Sequence, residues 1–265
     1  MKLSILAAVA ALSLSASVLP VSAAQTTPVI VELFTSEGCS SCPPADALLS
    51  RYSQSSPAAG VEVIALGEHV DYWNHGGWAD PFSAAKFTAR QNAYANAFHL
   101  DSVYTPQMIV DGKTQLVGSD GDAARAAIAR AARLPKVLVS LSEPTPGRLS
   151  EPTPGRLSEP TPGRLSVSIS HLPVSAATDP AEVLLAVTED SLSSTVGGGE
   201  NRGRHLVHSA VVRALTPLGT ITGATFVASP TFPLKPGWRR GHLHAVVFVQ
   251  EQKSRRIVGA AEISL

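Results

Sequence analysis

Val29–Asp46 reads VIVELFTSEGCSSCPPAD. Its first six residues, Val29–Phe34, are the β-branched apolar run of a buried strand. Ala45–Tyr52 reads as a helix. Pro43 and Pro44 are tolerated only in a first helical turn, so that helix starts close to Cys42. Cys39 and Cys42 therefore stand between the end of a strand and the start of a helix. A structural staple at this spacing would close too short a loop to constrain the unfolded chain much. The spacing does suit a reversible disulfide, because unsatisfied backbone N–H groups and the positive end of the helix dipole favour a thiolate. Cys39 precedes the helix and can face solvent, which makes it the candidate nucleophile; Cys42, more enclosed, is the candidate resolving thiol. Glu37 acts the other way, since a nearby carboxylate raises a thiol pKa. On the residues alone, redox exchange, metal binding and an inert local disulfide all stay open.

Val61–Leu66 reads as a second strand. Pro81–Phe98 is predicted as a helix, with Phe87, Tyr94 and Phe98 on one face. Met108–Val110 turns at Asp111-Gly112, a hairpin signal, into Gln115–Val117. Asp122–Arg133 is an alanine-rich helix with acidic residues at its start. The order β-α-β-α-β-β-α predicts an α/β layer. After Pro135 the character changes. Val137–Ser142, Leu165–Ser170, Val183–Thr188, Leu206–Ala214, Ala224–Ala228, Leu243–Gln250 and Ile257–Ile263 read as strands with no helix between them, which suggests a β-sandwich. The expected organisation is an α/β domain over 25–135 and a smaller all-β, sandwich-like domain over 136–265.

Residues 143–166 are three identical copies of EPTPGRLS. The period is too short for common solenoid units. Two prolines and a glycine per copy disfavour helix and central strand. The stretch reads as an expanded hairpin loop, or alternatively as a Pro-rich, extended docking segment that lacks aromatic or basic anchors. At the other end, Met1–Ala24 carries Lys2, an apolar core over Leu3–Leu14, Pro20 and small residues at Ser22-Ala23-Ala24. Residues 1–24 are thus expected to be a cleaved export signal. That places the mature chain in the periplasm or outside the cell, with no membrane span after cleavage, and puts its cysteines in an oxidising compartment. Lys plus Arg and Asp plus Glu are 21 each, so charge gives no case for nucleic acid or anionic lipid as a partner. Two cysteines are too few for a disulfide scaffold or a multi-thiolate zinc site.

Strand, CxxC at a helix start, strand, helix, then Thr105-Pro106 before a strand resembles the thioredoxin fold. The resemblance implies a cis-proline at Pro106 that faces the CxxC and, with Thr105, shapes a substrate groove. More specific runs are VELFTSEGCSSCPPAD (Val31–Asp46), HVDYW (His69–Trp73), WADPFS (Trp78–Ser83), FTARQNAYA (Phe87–Ala95) and YTPQMIVDG (Tyr104–Gly112). Together they resemble a bacterial secreted family known as domain of unknown function 1223. ENRGRHLVHSAVVR (Glu200–Arg213) resembles it more loosely. That family implies a thioredoxin-like fold and brings no settled activity.

His69–Trp78 holds two histidines and two of the three tryptophans, at an edge where α/β proteins collect ligands. His69 could assist proton transfer at the dithiol or join Cys39 and Cys42 as a third ligand for a soft ion such as Cu(I). Tyr72, Trp73 and Trp78 could line an apolar groove for a peptide, or simply form a packed loop. His205 and His208 are three apart and so face opposite sides of a strand; His242 and His244 share a side. The leading expectation is a thiol–disulfide oxidoreductase acting on thiols or disulfides of exported proteins without a cofactor. The alternatives are a Cu(I) chaperone using the same thiols and a non-catalytic binding protein.

Overall fold

The computed structural model describes residues 26–143, 163–170, 178–232 and 234–265. The expected export signal, and all but the ends of the repeat at 143–166, lie outside the described residues. β1 (Thr27–Thr35) and β2 (Val61–His69) run parallel, in register from Thr27 opposite Val61 to Thr35 opposite His69. Both strands therefore end at one edge, where the CxxC turn and the loop after His69 meet. Between them runs α1 (Pro43–Gln54), with Pro43 and Pro44 in its first turn as expected. α2 (Ala85–Phe98) starts four residues later than the sequence predicts. Asp80 takes the N–H of Phe82 on its own carboxylate and the Ser83 hydroxyl on its carbonyl, a side-chain turn that holds this stretch out of the helix. β3 (Gln107–Val110) and β4 (Thr114–Val117) form the expected hairpin, with both Asp111 and Gly112 at positive φ. α3 (Gly121–Ala131) closes the first half.

The second half contributes β5 (Leu138–Ser142), β6 (Gly163–Arg164), β7 (Ser166–Ser170), β8 (Ala181–Glu189), β9 (Leu192–Thr195), β10 (His205–His208), β11 (Val211–Thr220), β12 (Phe226–Ala228), β13 (Thr231–Phe232), β14 (Leu243–Glu251) and β15 (Ile257–Ser264). Here the expected fold class is corrected. The chain does not form an α/β thioredoxin-like domain followed by a small all-β sandwich. It is mostly β, with three α-helices among the described residues and one mixed eight-stranded sheet ordered β15-β14-β8-β11-β2-β1-β3-β4. Strands from both halves share that sheet. β11 enters beside β2, Val211 opposite Gly67, and the Gly67 N–H donates to the Ala210 carbonyl at 2.7 Å. The physical reason lies in β8 and β14. Each carries an unbroken run of five apolar residues and is buried at eight of nine positions, the mark of strands covered on two faces rather than of sandwich strands with one wet face.

Two layers cover the sheet. On one face, α1 and α3 pack Leu48, Leu49, Ala124 and Ile128 against Val31, Leu33, Ala65 and Met108. Farther along the same sheet, the small β12-β7-β5 sheet sets Val139, Val167 and Ile169 against Val183, Leu185 and Val247. On the other face, Phe87 of α2 joins Ile30, Ile64 and Leu66 from the first half to Leu184, Ala186 and Phe248 from the second. A buried polar network follows the same route. The Arg90 Nε lies 2.6 Å from Glu32 Oε1 and 3.3 Å from Glu68 Oε1, while its terminal nitrogens donate to Gln250 and Tyr94. Burial, with the Glu32 carboxylate alongside, pushes Glu68 well above the usual carboxylate range and favours its neutral form. Among the described residues, no helix is long and apolar enough to cross a membrane.

Candidate functional site

Cys39 and Cys42 form a disulfide, with their Cα atoms 5.4 Å apart. The backbone winds into the helix through them: the Cys42 N–H donates to the Cys39 carbonyl, and the N–H groups of Ala45 and Asp46 donate to the Cys42 carbonyl. Cys42 is the residue before the helix, and no side chain caps it. The sulfurs thus sit at the positive end of α1, as expected. One expectation needs correction. Cys39 does not face solvent: it is 1% exposed and Cys42 0%. The cover comes from the second half. Asn201 Nδ2 donates to the carbonyls of both Glu37 and Cys39, at 2.9 and 2.8 Å, and the Ser40 N–H donates to Glu200 Oε2 at 2.9 Å.

The other predicted residues gather around this turn. The peptide bond Thr105-Pro106 is cis. Pro106, Leu33 and Ala45 all crowd Gly118, where an added Cβ would approach each to about 3 Å, so the proline and the first turn of α1 flank the same glycine. Trp73 packs over Gly38 and donates its indole N–H to the Thr105 hydroxyl at 2.8 Å. Trp78 donates to Glu37 Oε2 at 2.9 Å. The aromatic loop is therefore packed and hydrogen-bonded, with Tyr72 donating to Gln91. The His69 ring is not aimed at a free position: its Nδ1 lies 2.8 Å from Asp80 Oδ2, and its edge meets His208 and Phe82. Among the described residues, no group of three or more His, Cys, Asp or Glu side chains is arranged to hold a metal ion.

Behind the disulfide lies a cluster that sequence reasoning largely missed: Glu37, Asp46, Asp80, His69 and His208. Glu37 Oε1 accepts from the Ser194 hydroxyl and lies 3.1 Å from His208 Nε2. Burial works to raise the Glu37 pKa, but hydrogen bonds from His208, Ser194 and Trp78 outweigh it and hold the carboxyl below its usual range. Asp80 is likewise held low: burial is outweighed by the His69 ring and by the N–H groups of Glu37 and Phe82. Burial would lower His69, yet Asp80 beside it raises the ring above the usual imidazole range. Asp46 goes the other way, pushed up by burial against the pull of His208 and His69. The cluster thus combines two carboxyls held below their usual range with an imidazole and a carboxyl pushed above theirs. The signal for its distal members was the inward register of His208 and the glycine run at 197–199.

A buried CxxC cystine at a helix start, on the edge of a large mixed sheet and backed by imidazoles and carboxylates, defines the class. The family model described as a protein of unknown function, DUF1223, matches residues 30–250, and the chain belongs to that family. Protein AGR_C_4864 from Agrobacterium tumefaciens, solved by X-ray crystallography, is similar with a TM-score of 0.64 and 23% identity, over 90% of this chain and 94% of that one. HBP35 of Porphyromonas gingivalis is similar with a TM-score of 0.65 and 15% identity, over 91% of this chain and 76% of that one. At these identities the likeness speaks for the fold alone. No curated protein matches the chain.

Proposed function

We propose that this chain is an exported thiol–disulfide exchange protein working through Cys39 and Cys42. The observation that carries the reading is the cystine itself, formed by the chain's two cysteines and set at the positive end of α1. In the oxidising direction, a thiolate of an exported protein attacks Cys39 Sγ. The Cys39–Cys42 bond breaks and Cys42 leaves as a thiolate stabilised by the helix end. A second substrate thiolate then attacks the mixed disulfide. It releases Cys39 and a substrate disulfide, and two electrons remain on the chain as a dithiol. The reverse sequence reduces a substrate disulfide, with Cys39 attacking and Cys42 resolving. Thr105 and Pro106, beside the first turn of α1, and the half-buried Trp73 and Trp78 are assigned to hold the substrate segment.

The test is non-reducing electrophoresis of single variants recovered from the export compartment, with free thiols alkylated at lysis. Cys42→Ala should strand substrates on Cys39 as mixed disulfides, and Cys39→Ala should trap far fewer. Equal trapping by both overturns the assigned roles. No trapping by either overturns the exchange reading.

A further inference from the structure

The hairpin β9–β10 pairs only with itself, outside the eight-stranded sheet. Its connecting loop, 196–204, lies across the CxxC turn. We propose that this hairpin, residues 192–208, is a hinged lid over the Cys39–Cys42 disulfide that must lift before a thiol reaches Cys39.

The base of the hairpin has the features of a hinge. Ser191 (φ 57°) precedes β9 and Ala210 (φ 52°) follows β10. Both are non-glycine residues in the left-handed region, a conformation that costs free energy and persists only where surroundings hold it. Those surroundings are present. Asp190 Oδ1 accepts from the Ala210 N–H at 2.7 Å, so one side chain ties the two ends together. Arg239 donates to the carbonyls of Asp190 and Ser191 at 2.7 and 2.8 Å. The base is pinned, with Ala210 also packed in the core and its carbonyl accepting from Gly67, so the loop and strands beyond it are the part free to lift.

The hairpin is held mostly by polar bonds. From its strands Ser194 and His208 meet Glu37, with the His208 ring also against His69 and Phe82; from its connecting loop Asn201 bridges two carbonyls of the CxxC turn and Glu200 receives Ser40. The two buried apolar side chains of the hairpin, Val196 and Leu206, stand outside the main apolar clusters. The glycine run explains the close fit: a Cβ on Gly198 would come within 2.2 Å of the Gly77 carbonyl oxygen, and one on Gly197 within 3.0 Å of the Trp78 ring. A surface held by a few hydrogen bonds and glycine contacts opens locally more readily than one held by a core. Exchange needs a thiolate in line with the S–S bond, and with the lid shut the disulfide offers no such approach.

The biological use of the lid rests on the exchange reading, but its test does not. Dithiothreitol reduces the cystine by giving up two electrons and two protons and becoming a cyclic disulfide. Its second-order rate constant follows access and the leaving thiol's pKa, and hydrogen exchange separates the two. Asn201→Ala should raise that constant at least about tenfold, and Glu200→Ala, a surface change that spares folding, about threefold. Hydrogen exchange of the Ser40 amide and of amides in 192–208 should accelerate by matching factors while β1 and β2 stay unchanged. Unchanged reduction rates in both variants would overturn the lid. Faster reduction without faster exchange in the hairpin would overturn it too. If the lid results hold and Cys42→Ala traps nothing, the exchange reading fails and the lid stands.

Discussion

Glu37→Gln is the perturbation that separates a latch from a passive core residue. The carboxylate receives Trp78 on one oxygen and Ser194 and His208 on the other. A glutamine keeps the shape but has one acceptor. If its oxygen faces Ser194 and His208, its NH2 faces the Trp78 N–H across 2.9 Å, two donors with nothing between them. One charge-assisted bond is lost outright and two become neutral. Trp78 and Glu37 both belong to the first half, so only the Ser194 and His208 bonds bear on the hairpin. Charge-assisted bonds contribute about 1.5–3 kcal/mol and neutral ones about 1, so those two together lose roughly 1–4 kcal/mol. Converted at 1.36 kcal/mol per decade, the hairpin should open roughly 5- to 900-fold more often. For a chain of this size, a loss of that order lowers Tm by about 2–16 °C. The assay is hydrogen exchange over 192–208 alongside thermal melts across pH. Because the folded carboxyl titrates below its ordinary value of 4.5, wild type should lead the variant fully above that value. The lead should shrink as pH falls through the lower folded pKa. Asp80 and Asp46 lie nearby and shape both curves, so the wild-type-minus-variant difference is the quantity to read. Equal protection of the hairpin in both proteins at pH 7 would refute the latch.

Two stability predictions concern ion pairs outside the hairpin. Arg90→Leu leaves the Glu32 carboxylate buried without its cation, at a cost of about 3–5 kcal/mol; Glu32→Gln in the same chain should recover part of it, and a loss under about 1 kcal/mol by denaturant melting would contradict the network. His244 lies 3.2 Å from Asp190 and 2.9 Å from Glu262, which push its pKa up to about 10. Its contribution is full below the ordinary imidazole value near 6.5 and is lost as pH rises through about 10. The Tm gap between wild type and His244→Gln should therefore be widest at pH 6 and closed above pH 10, and a gap that does not vary with pH would refute the pairing.

What the sequence made legible was local. The CxxC turn, the helix start at Pro43 and the hairpin at Asp111-Gly112 depend on a few neighbouring residues, and they stand where the pattern places them. The strands of the two halves join in one sheet where Val211 lies beside Gly67, residues that no periodicity relates. A clue existed in the unbroken apolar runs of AEVLLAVTE and LHAVVFVQE, which fit strands covered on both faces better than sandwich strands. The ionisable residues show the same divide. Glu32 inside VIVELF looks like a misplaced charge until Arg90, 58 residues on, is brought to it. The alternation of β10 already turned His208 inward and His205 outward. That His208 then meets Glu37, 171 residues away, is a fact of tertiary structure that spacing does not encode.

The covering of the cystine changes what selectivity at this site can rest on. A CxxC pair open to solvent reacts with any thiol whose pKa and potential suit it. Here the bonds that close the site come from Ser194, Glu200, Asn201 and His208, none of which touches a substrate while the lid is shut. If closing is favoured by about 4–5 kcal/mol, the open form is roughly 0.02–0.1% of molecules, and every exchange with an indifferent thiol slows by that fraction. A partner that offers its own acceptor to Asn201, or its own donor to Glu37, recovers the factor. Discrimination would then reside in how a partner engages the hairpin rather than in sulfur chemistry, which would require the second half of the chain to remain joined to the sheet that carries the cysteines.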